Sequence, residues 1–430
     1  MPGTEARTLG KRLLSPINGS LSFIGRQHRD WKVTVVRTSL DRFSYRMVFP
    51  YLSIYIVALG ASATQLGIVN SVGMAIAGLA APFIGWFIDR FGPKRLYLLG
   101  IALVGLSYFT YGVAQSWTFA ILAMAAYWLG TSGSGQSCAT VCGNCLSNQD
   151  RATGMTFCET VTAGLLGMAG PMLGALLVAR AGGASVEGIR PLFFVGLAVS
   201  LGGFLIVVTQ LSDRKWHISH GKPAFFQDIR QVFREGHHLK RWLIIASVGM
   251  LPTGMIFPFS QVFAYEVKGA QPYILGAMVT GSALASTIFA IPLGSLADRI
   301  GRKKVLYVTV PLFWLSSIVL VWAPGPAFLV TAGVLQGFYY IGAPIVGAME
   351  RELVPAAHMG RWLGMARLVR MLLNACMVLI AGIVWDKIGP QYVFLGVVVL
   401  DLAIRVPLLI SMPETLNLRL GKRGIESPAE

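Results

Sequence analysis

The chain has 430 residues, of which 54% are hydrophobic and only 13% charged, about half the charge of a soluble domain. Its formal net charge is +17, but the basic residues sit in short segments between apolar runs and form no patch on a soluble domain. Composition therefore excludes an ordinary soluble enzyme and a nucleic-acid-binding protein, and it points to lipid as the surrounding solvent.

An N-terminal arm, residues 1–42, holds Arg7, Lys11, Arg12, Arg26, Arg29, Lys32 and Arg37 without a signal-peptide apolar core. After it come twelve runs near the 20 residues that hydrocarbon requires: 43–62, 66–88, 95–114, 117–140, 152–179, 191–211, 242–264, 272–297, 304–323, 327–349, 362–385 and 390–411. The connections are short except for 212–241, a linker that divides a six-helix domain at 43–211 from another at 242–411, with a tail at 412–430. The expected fold is thus an all-α membrane protein of twelve transmembrane helices in two pseudo-symmetric halves.

Of the 36 Lys and Arg residues, Arg180, Arg190, Lys268 and Lys387 fall in one set of loops and Arg405 lies inside the last run. The remainder crowd the other side, which the positive-inside rule assigns to the cytoplasm together with both termini. A multi-pass protein of the cell membrane is expected.

An internal repeat recurs at an offset of 208 to 210 residues. Met47-Val-Phe-Pro-Tyr51 returns as Met255-Ile-Phe-Pro-Phe259. Gly85-Trp-Phe-Ile-Asp89-Arg90-Phe-Gly92 returns as Gly294-Ser-Leu-Ala-Asp298-Arg299-Ile-Gly301, and Arg151-Ala-Thr-Gly154-Met155 as Arg361-Trp-Leu-Gly364-Met365.

The two loops after runs 2 and 8 resemble the signature of the major facilitator superfamily, G-x-x-x-D-R-x-G-R-[RK]. The first copy carries Gly85, Asp89, Arg90, Gly92, Lys94 and Arg95 and departs from the pattern at Pro93; the second carries Gly294, Asp298, Arg299, Gly301, Arg302 and Lys303 and matches throughout. Gly92 and Gly301 permit a turn too tight for a side chain, and an acid at a membrane end needs a cation or a helix N-terminus to satisfy it. The resemblance implies that Asp89 meets the start of helix 11 near Arg361, and Asp298 the start of helix 5 near Arg151, as a latch closing the cytoplasmic side. It also implies alternating access about a midplane site, one half rocking against the other. No G-x-x-x-x-G-K-[ST] loop occurs, so the energy source is a gradient, with the proton as the expected coupling ion.

In run 5, Gly164-Leu-Leu-Gly167-Met-Ala-Gly170-Pro171-Met-Leu-Gly174-Ala175 resembles the glycine-proline motif of antiporters in this superfamily, which favours export over uptake of a sugar, peptide or organic acid. Asp41-Arg42-Phe43-Ser44-Tyr45-Arg46 resembles the E-R-F-x-Y-Y stretch of proton-coupled peptide transporters without its glutamate; Arg42 and Arg46 alternatively snorkel to lipid headgroups. Glu159 lies at depth in run 5 and Arg367 and Arg370 at equivalent depth in run 11, so an ion pair across the halves would make Glu159 the proton-coupling carboxylate. Asp401 and Arg405 are spaced to pair locally on run 12.

By the superfamily's architecture, helices 1, 4, 7 and 10 line the path. These runs carry Tyr51, Tyr55, Trp128, Ser132, Ser134, Gln136, Ser260, Gln261, Gln336, Tyr339 and Tyr340, an aromatic, uncharged lining suited to neutral or amphiphilic small organic molecules. Cys138, Cys142 and Cys145 share one helical face, the pattern of a metal or redox site. No histidine accompanies them, and small thiols also pack between membrane helices, so no metal and no cofactor is assigned. The expected partners are the solute, the proton and the bilayer, and the expected state is a monomer. Two rivals read less well: a membrane-embedded enzyme lacks clustered acids or histidines at depth, and a transporter-shaped sensor lacks a large soluble domain.

Overall fold

The computed structural model describes residues 23–147, 154, 158, 167–213, 238–354 and 359–415. It contains twelve long helices: α1 Arg29–Ala58, α2 Ala63–Phe91, α3 Pro93–Val113, α4 Trp117–Cys145, α5 Gly167–Arg180, α6 Val186–Gln210, α7 Leu239–Val267, α8 Pro272–Ile300, α9 Arg302–Trp322, α10 Pro326–Leu353, α11 Met359–Lys387 and α12 Pro390–Ser411. α5 is the described part of its helix. Among the described residues, nine of these helices are long and apolar enough to cross a membrane. α1 and α4 fall short on composition, because both carry polar residues along an inner face.

The helix ends follow from local chemistry. Ser62 and Gln65 form a reciprocal capping box at the start of α2, and Ser185 accepts from the Gly188 N–H to cap α6. Gly92 (φ +84°) and Gly301 (φ +117°) turn the chain from α2 into α3 and from α8 into α9 in a region L side chains rarely adopt. α7 is interrupted at Gly249–Met250 and Ile256, next to Pro252 and Pro258 that interrupt its ladder, and ends in a π-turn over Phe263–Val267. α12 carries a second π-turn over Asp401–Arg405.

Several boundaries differ from those read off hydropathy. α1 starts at Arg29, not at residue 43, so residues 29–42 belong to the first half and not to a loose arm. The reason is tertiary: Asp30 accepts from the N–H (3.0 Å) and the hydroxyl of Ser212 beyond α6, Trp31 Nε1 donates to the Gly154 carbonyl at 3.2 Å, and buried Arg37 lies over the Tyr97 ring at 5.0 Å. α7 and α11 likewise begin at Leu239 and Met359, three residues before their predicted starts.

The two six-helix halves meet along α2 against α11 and α5 against α8. α2 and α11 approach backbone to backbone: a Cβ on Gly67 would stand 2.9 Å from the Val378 carbonyl, and one on Gly382 would collide with that of Ala63. Such close approach between small residues is how membrane helices gain packing without a hydrophobic driving force. Tyr51 in α1 donates to the Pro272 carbonyl at the start of α8 at 2.7 Å. These contacts lie at the end of the bundle opposite the Gly92 and Gly301 turns; the end bearing those turns is the basic end.

Candidate substrate cavity

Between the halves lies a cavity of about 430 Å³ walled by α1, α2, α4, α7 and α10. Tyr45, Phe49, Tyr127 and Trp128 supply aromatic rings from the first half, and Phe257, Tyr339 and Tyr340 face them from the second. Tyr45 stacks on Tyr127 (5.9 Å between ring centroids, 16° between planes), and Phe257 stacks on Tyr340 (5.4 Å, 11°). Tyr339 shares a hydrogen bond with Thr253 at 2.8 Å, which ties α10 to the broken part of α7.

The wall is not uncharged, contrary to the expectation from the sequence. Arg37, Asp41 and Arg42 all line it, with Arg37 Nη2 3.2 Å from Asp41 Oδ1. The misreading has one cause: α1 begins fourteen residues before its apolar run, so side chains assigned to a membrane-edge arm stand on a helical face inside the bundle. The spacing of Arg37, Asp41 and Tyr45, four residues apart, is the signal that carried this.

Of the eleven residues expected along the path, Trp128, Ser134, Tyr339 and Tyr340 line the cavity. Tyr51 is instead turned to Pro272, and Tyr55 is buried with its hydroxyl on the Tyr111 carbonyl at 2.7 Å and its ring against Phe193. Gln261 and Gln336 are buried outside the lining, with Oε1 of the first and Nε2 of the second lacking a hydrogen-bond partner, and half-buried Gln136 faces away from the lining too. Helix membership was right for all five, but only the rotation of each helix decides which face meets the cavity. Ser134 lines the cavity, whereas Ser132 accepts from Arg367 and buried Ser260 donates to its own helix's Phe257 carbonyl.

Glu159 and Arg151 lie outside the described residues, so their expected pairings have no geometry. The second-half arginines have other partners. Arg370 Nη2 is 2.5 Å from Glu350 Oε1, and Trp362 Nε1 donates to that oxygen at 2.6 Å; Arg367 Nη2 donates across the halves to Ser132 Oγ at 3.0 Å. Glu350 is buried although it lies in the last turn of α10. Asp401 does pair with Arg405 at 3.3 Å and also accepts from Trp314 Nε1 at 3.0 Å.

At the basic end, the side chains of Asp89 and Arg361 fall outside the description. Arg90 is exposed over the rings of Trp86 (5.3 Å) and Phe91 (5.5 Å), Arg95 and Arg299 are exposed, and Gly85 and Gly294 have open space where a Cβ would stand. Asp298 is 64% exposed and pairs within its own half with Arg302, which also meets Glu352 at 3.2 Å. Glu414 accepts from the Arg302 N–H at 2.9 Å and the Lys303 N–H at 3.2 Å. Lys94 Nζ donates to the Leu211 carbonyl at 2.7 Å, and Lys303 Nζ to those of Ile410 and Met412, both at 2.8 Å. The repeat thus places the same lysine on the C-terminal carbonyls of α6 and of α12, where a cation complements the helix dipole.

The family model of the Major Facilitator Superfamily matches residues 37–275 and 242–423. The chain belongs to this superfamily. It is therefore a multi-pass membrane transporter and not an enzyme. It is 25% identical over 340 residues to the multidrug resistance protein MdtG of Escherichia coli (strain K12 / DH10B), covering 76% of this chain and 79% of that one. Solved structures share its fold: the nucleoside transporter NupG (TM-score 0.67, 13% identity, 89% of this chain and 99% of that one), a peptide transporter POT with sulfate (0.69, 15%, 91% and 95%) and a D-xylose-proton symporter (0.68, 15%, 90% and 98%).

Proposed function

We propose that the protein exports small amphiphilic organic solutes in exchange for protons. The observation that carries this reading is the cavity itself: two facing aromatic groups suit a planar apolar body, while Arg37 and Arg42 suit an acidic or acceptor group on it. Among the described residues Asp41 is the carboxylate in that wall, and its bond to Arg37 offers a protonation-dependent contact beside the solute. The similarity to a protein named for multidrug resistance favours export.

The distribution of basic residues supports a cytoplasmic location for both termini and the 212–241 linker. The close contact of the halves at the far end then makes this an inward-facing conformation. The Asp89 and Asp298 loops are the gate of the opposite state, and the protein acts as a monomer.

Flux into proteoliposomes with and without an imposed pH gradient tests the reading. Solutes are first chosen by a thermal-shift screen, since a bound ligand stabilises by mass action. Asp41→Asn is expected to abolish gradient-driven accumulation while preserving binding and counterflow, with Glu159→Gln as the parallel test of the carboxylate expected from the sequence. Gradient response intact in both variants sinks proton coupling through these groups; accumulation in the uptake direction sinks export.

A further inference from the structure

We propose that Cys138, Cys142 and Cys158 form a three-sulfur site for a soft divalent metal ion of the zinc and cadmium class, set in the wall of the cavity. Their Sγ atoms all lie within 4.8 Å of one another, with Cys142 and Cys158 4.0 Å apart. All three line the cavity, and none is in a disulfide. The sequence pattern pointed to Cys145 as the third thiol; the tertiary structure substitutes Cys158, which meets Cys138 and Cys142 one turn apart on α4, whereas Cys145 ends that helix.

The distances match what a metal requires. With metal–sulfur bonds of about 2.3 Å, three sulfurs stand about 3.8 Å apart in a tetrahedral site and about 4.0 Å apart in a trigonal one. The widest separation therefore closes by about 1 Å or less, within the reach of a side-chain rotation. Packing between helices accounts for a thiol against a neighbouring helix, but not for three sulfurs converging at a cavity wall.

The donor set selects the ion. Three thiolates with no carboxylate or imidazole among them favour soft cations over calcium or magnesium. Binding follows three Cys–SH plus M²⁺ giving M(S–Cys)₃⁻ plus three H⁺, with no change of oxidation state. The complex retains one negative charge, and Arg37, next in sequence to the Thr38 that touches Cys138, also lines the cavity. Thr38 Oγ1 lies 3.5 Å from Cys138 Sγ and supplies a hydrogen-bond partner to that ligand. Because all three cysteines line the cavity, an occupied site would narrow the path that the organic solute uses.

The test is titration of the reduced, purified full chain with cadmium. Wild type is expected to take up one ion with a thiolate-to-cadmium absorption band, and X-ray absorption is expected to report about three sulfur neighbours. Cys142→Ser and Cys158→Ser are each expected to weaken binding at least tenfold, whereas Cys145→Ser and Cys376→Ser leave it unchanged. Alkylation read by mass spectrometry supplies a second measurement on wild type alone: cadmium is expected to protect Cys138, Cys142 and Cys158 and to leave Cys376 reactive. Absence of sulfur coordination, protection that spares Cys158, or binding lost with Cys145→Ser and kept with Cys158→Ser overturns the proposal. The experiment involves no gradient or flux, so its outcome is independent of the export reading.

Discussion

Asp386, one residue before the end of α11 in the second half, accepts from the backbone N–H groups of Ala63 (3.3 Å) and Thr64 (2.8 Å) at the start of α2 in the first. A carboxylate on a helix N-terminus satisfies orphan donors and complements the dipole. Because the contact crosses the halves, it stabilises this conformation relative to any in which their far ends separate.

Asp386→Ala is therefore expected to shift the equilibrium toward the opposite opening by about fivefold, given roughly 1 kcal/mol for such a cap. Electron-electron distance measurements between spin labels at the exposed positions Ala58 and Ile388 check this as a growing longer-distance population. An unchanged distribution would show that α2–α11 packing alone holds the end shut.

The buried Glu350–Arg370 pair makes a stability prediction. Arg370→Met leaves a buried carboxylate without its cation and is expected to cost about 3–5 kcal/mol. Trp362→Phe removes one hydrogen bond to the same oxygen and is expected to cost about 1–2 kcal/mol. The Glu350→Met, Arg370→Met double variant is expected to melt above Arg370→Met; strictly additive losses in melting temperature would count against a coupled pair.

At the basic end, Lys94 and Lys303 act within their own halves, and Asp298, exposed and paired with Arg302, would have to exchange that partner to engage the other half. Lys94→Met and Lys303→Met are expected to lower thermal stability by about 0.5–1 kcal/mol each with little change in flux. Asp89→Asn and Asp298→Asn are expected to slow flux severalfold at unchanged folded yield. Normal flux in both aspartate variants would remove the gate assignment.

For a solute identified by the thermal-shift screen, Trp128→Ala and Tyr340→Ala are each expected to weaken binding about fivefold or more, from roughly 1 kcal/mol of ring contact. Gln261→Leu and Gln336→Leu lie off the lining and are expected to leave the dissociation constant within twofold. The reverse pattern, read by calorimetric titration, would relocate the binding site.

Hydropathy, charge asymmetry and the repeat were enough to establish twelve helices in two related halves, because each span obeys a length set by the hydrocarbon and each loop a charge rule set by topology. The loop motifs were legible for the same reason: Gly92 and Gly301 answer a local backbone demand, a positive φ at the turn. Where α1 begins was not legible, since residues 29–42 are polar and become helical through the bonds of Asp30 to Ser212 and Trp31 to Gly154.

The face each helix turns to the cavity belongs to tertiary structure alone. Tyr51 and Trp128 are both aromatics on cavity helices, yet one bonds Pro272 and the other lines the path. The partner of Arg370 and the third member of the thiol cluster were decided the same way. A residue's depth is a property of its own span, whereas its neighbours depend on the rotation and crossing of helices far away in the chain, and packing against those helices is what sets them.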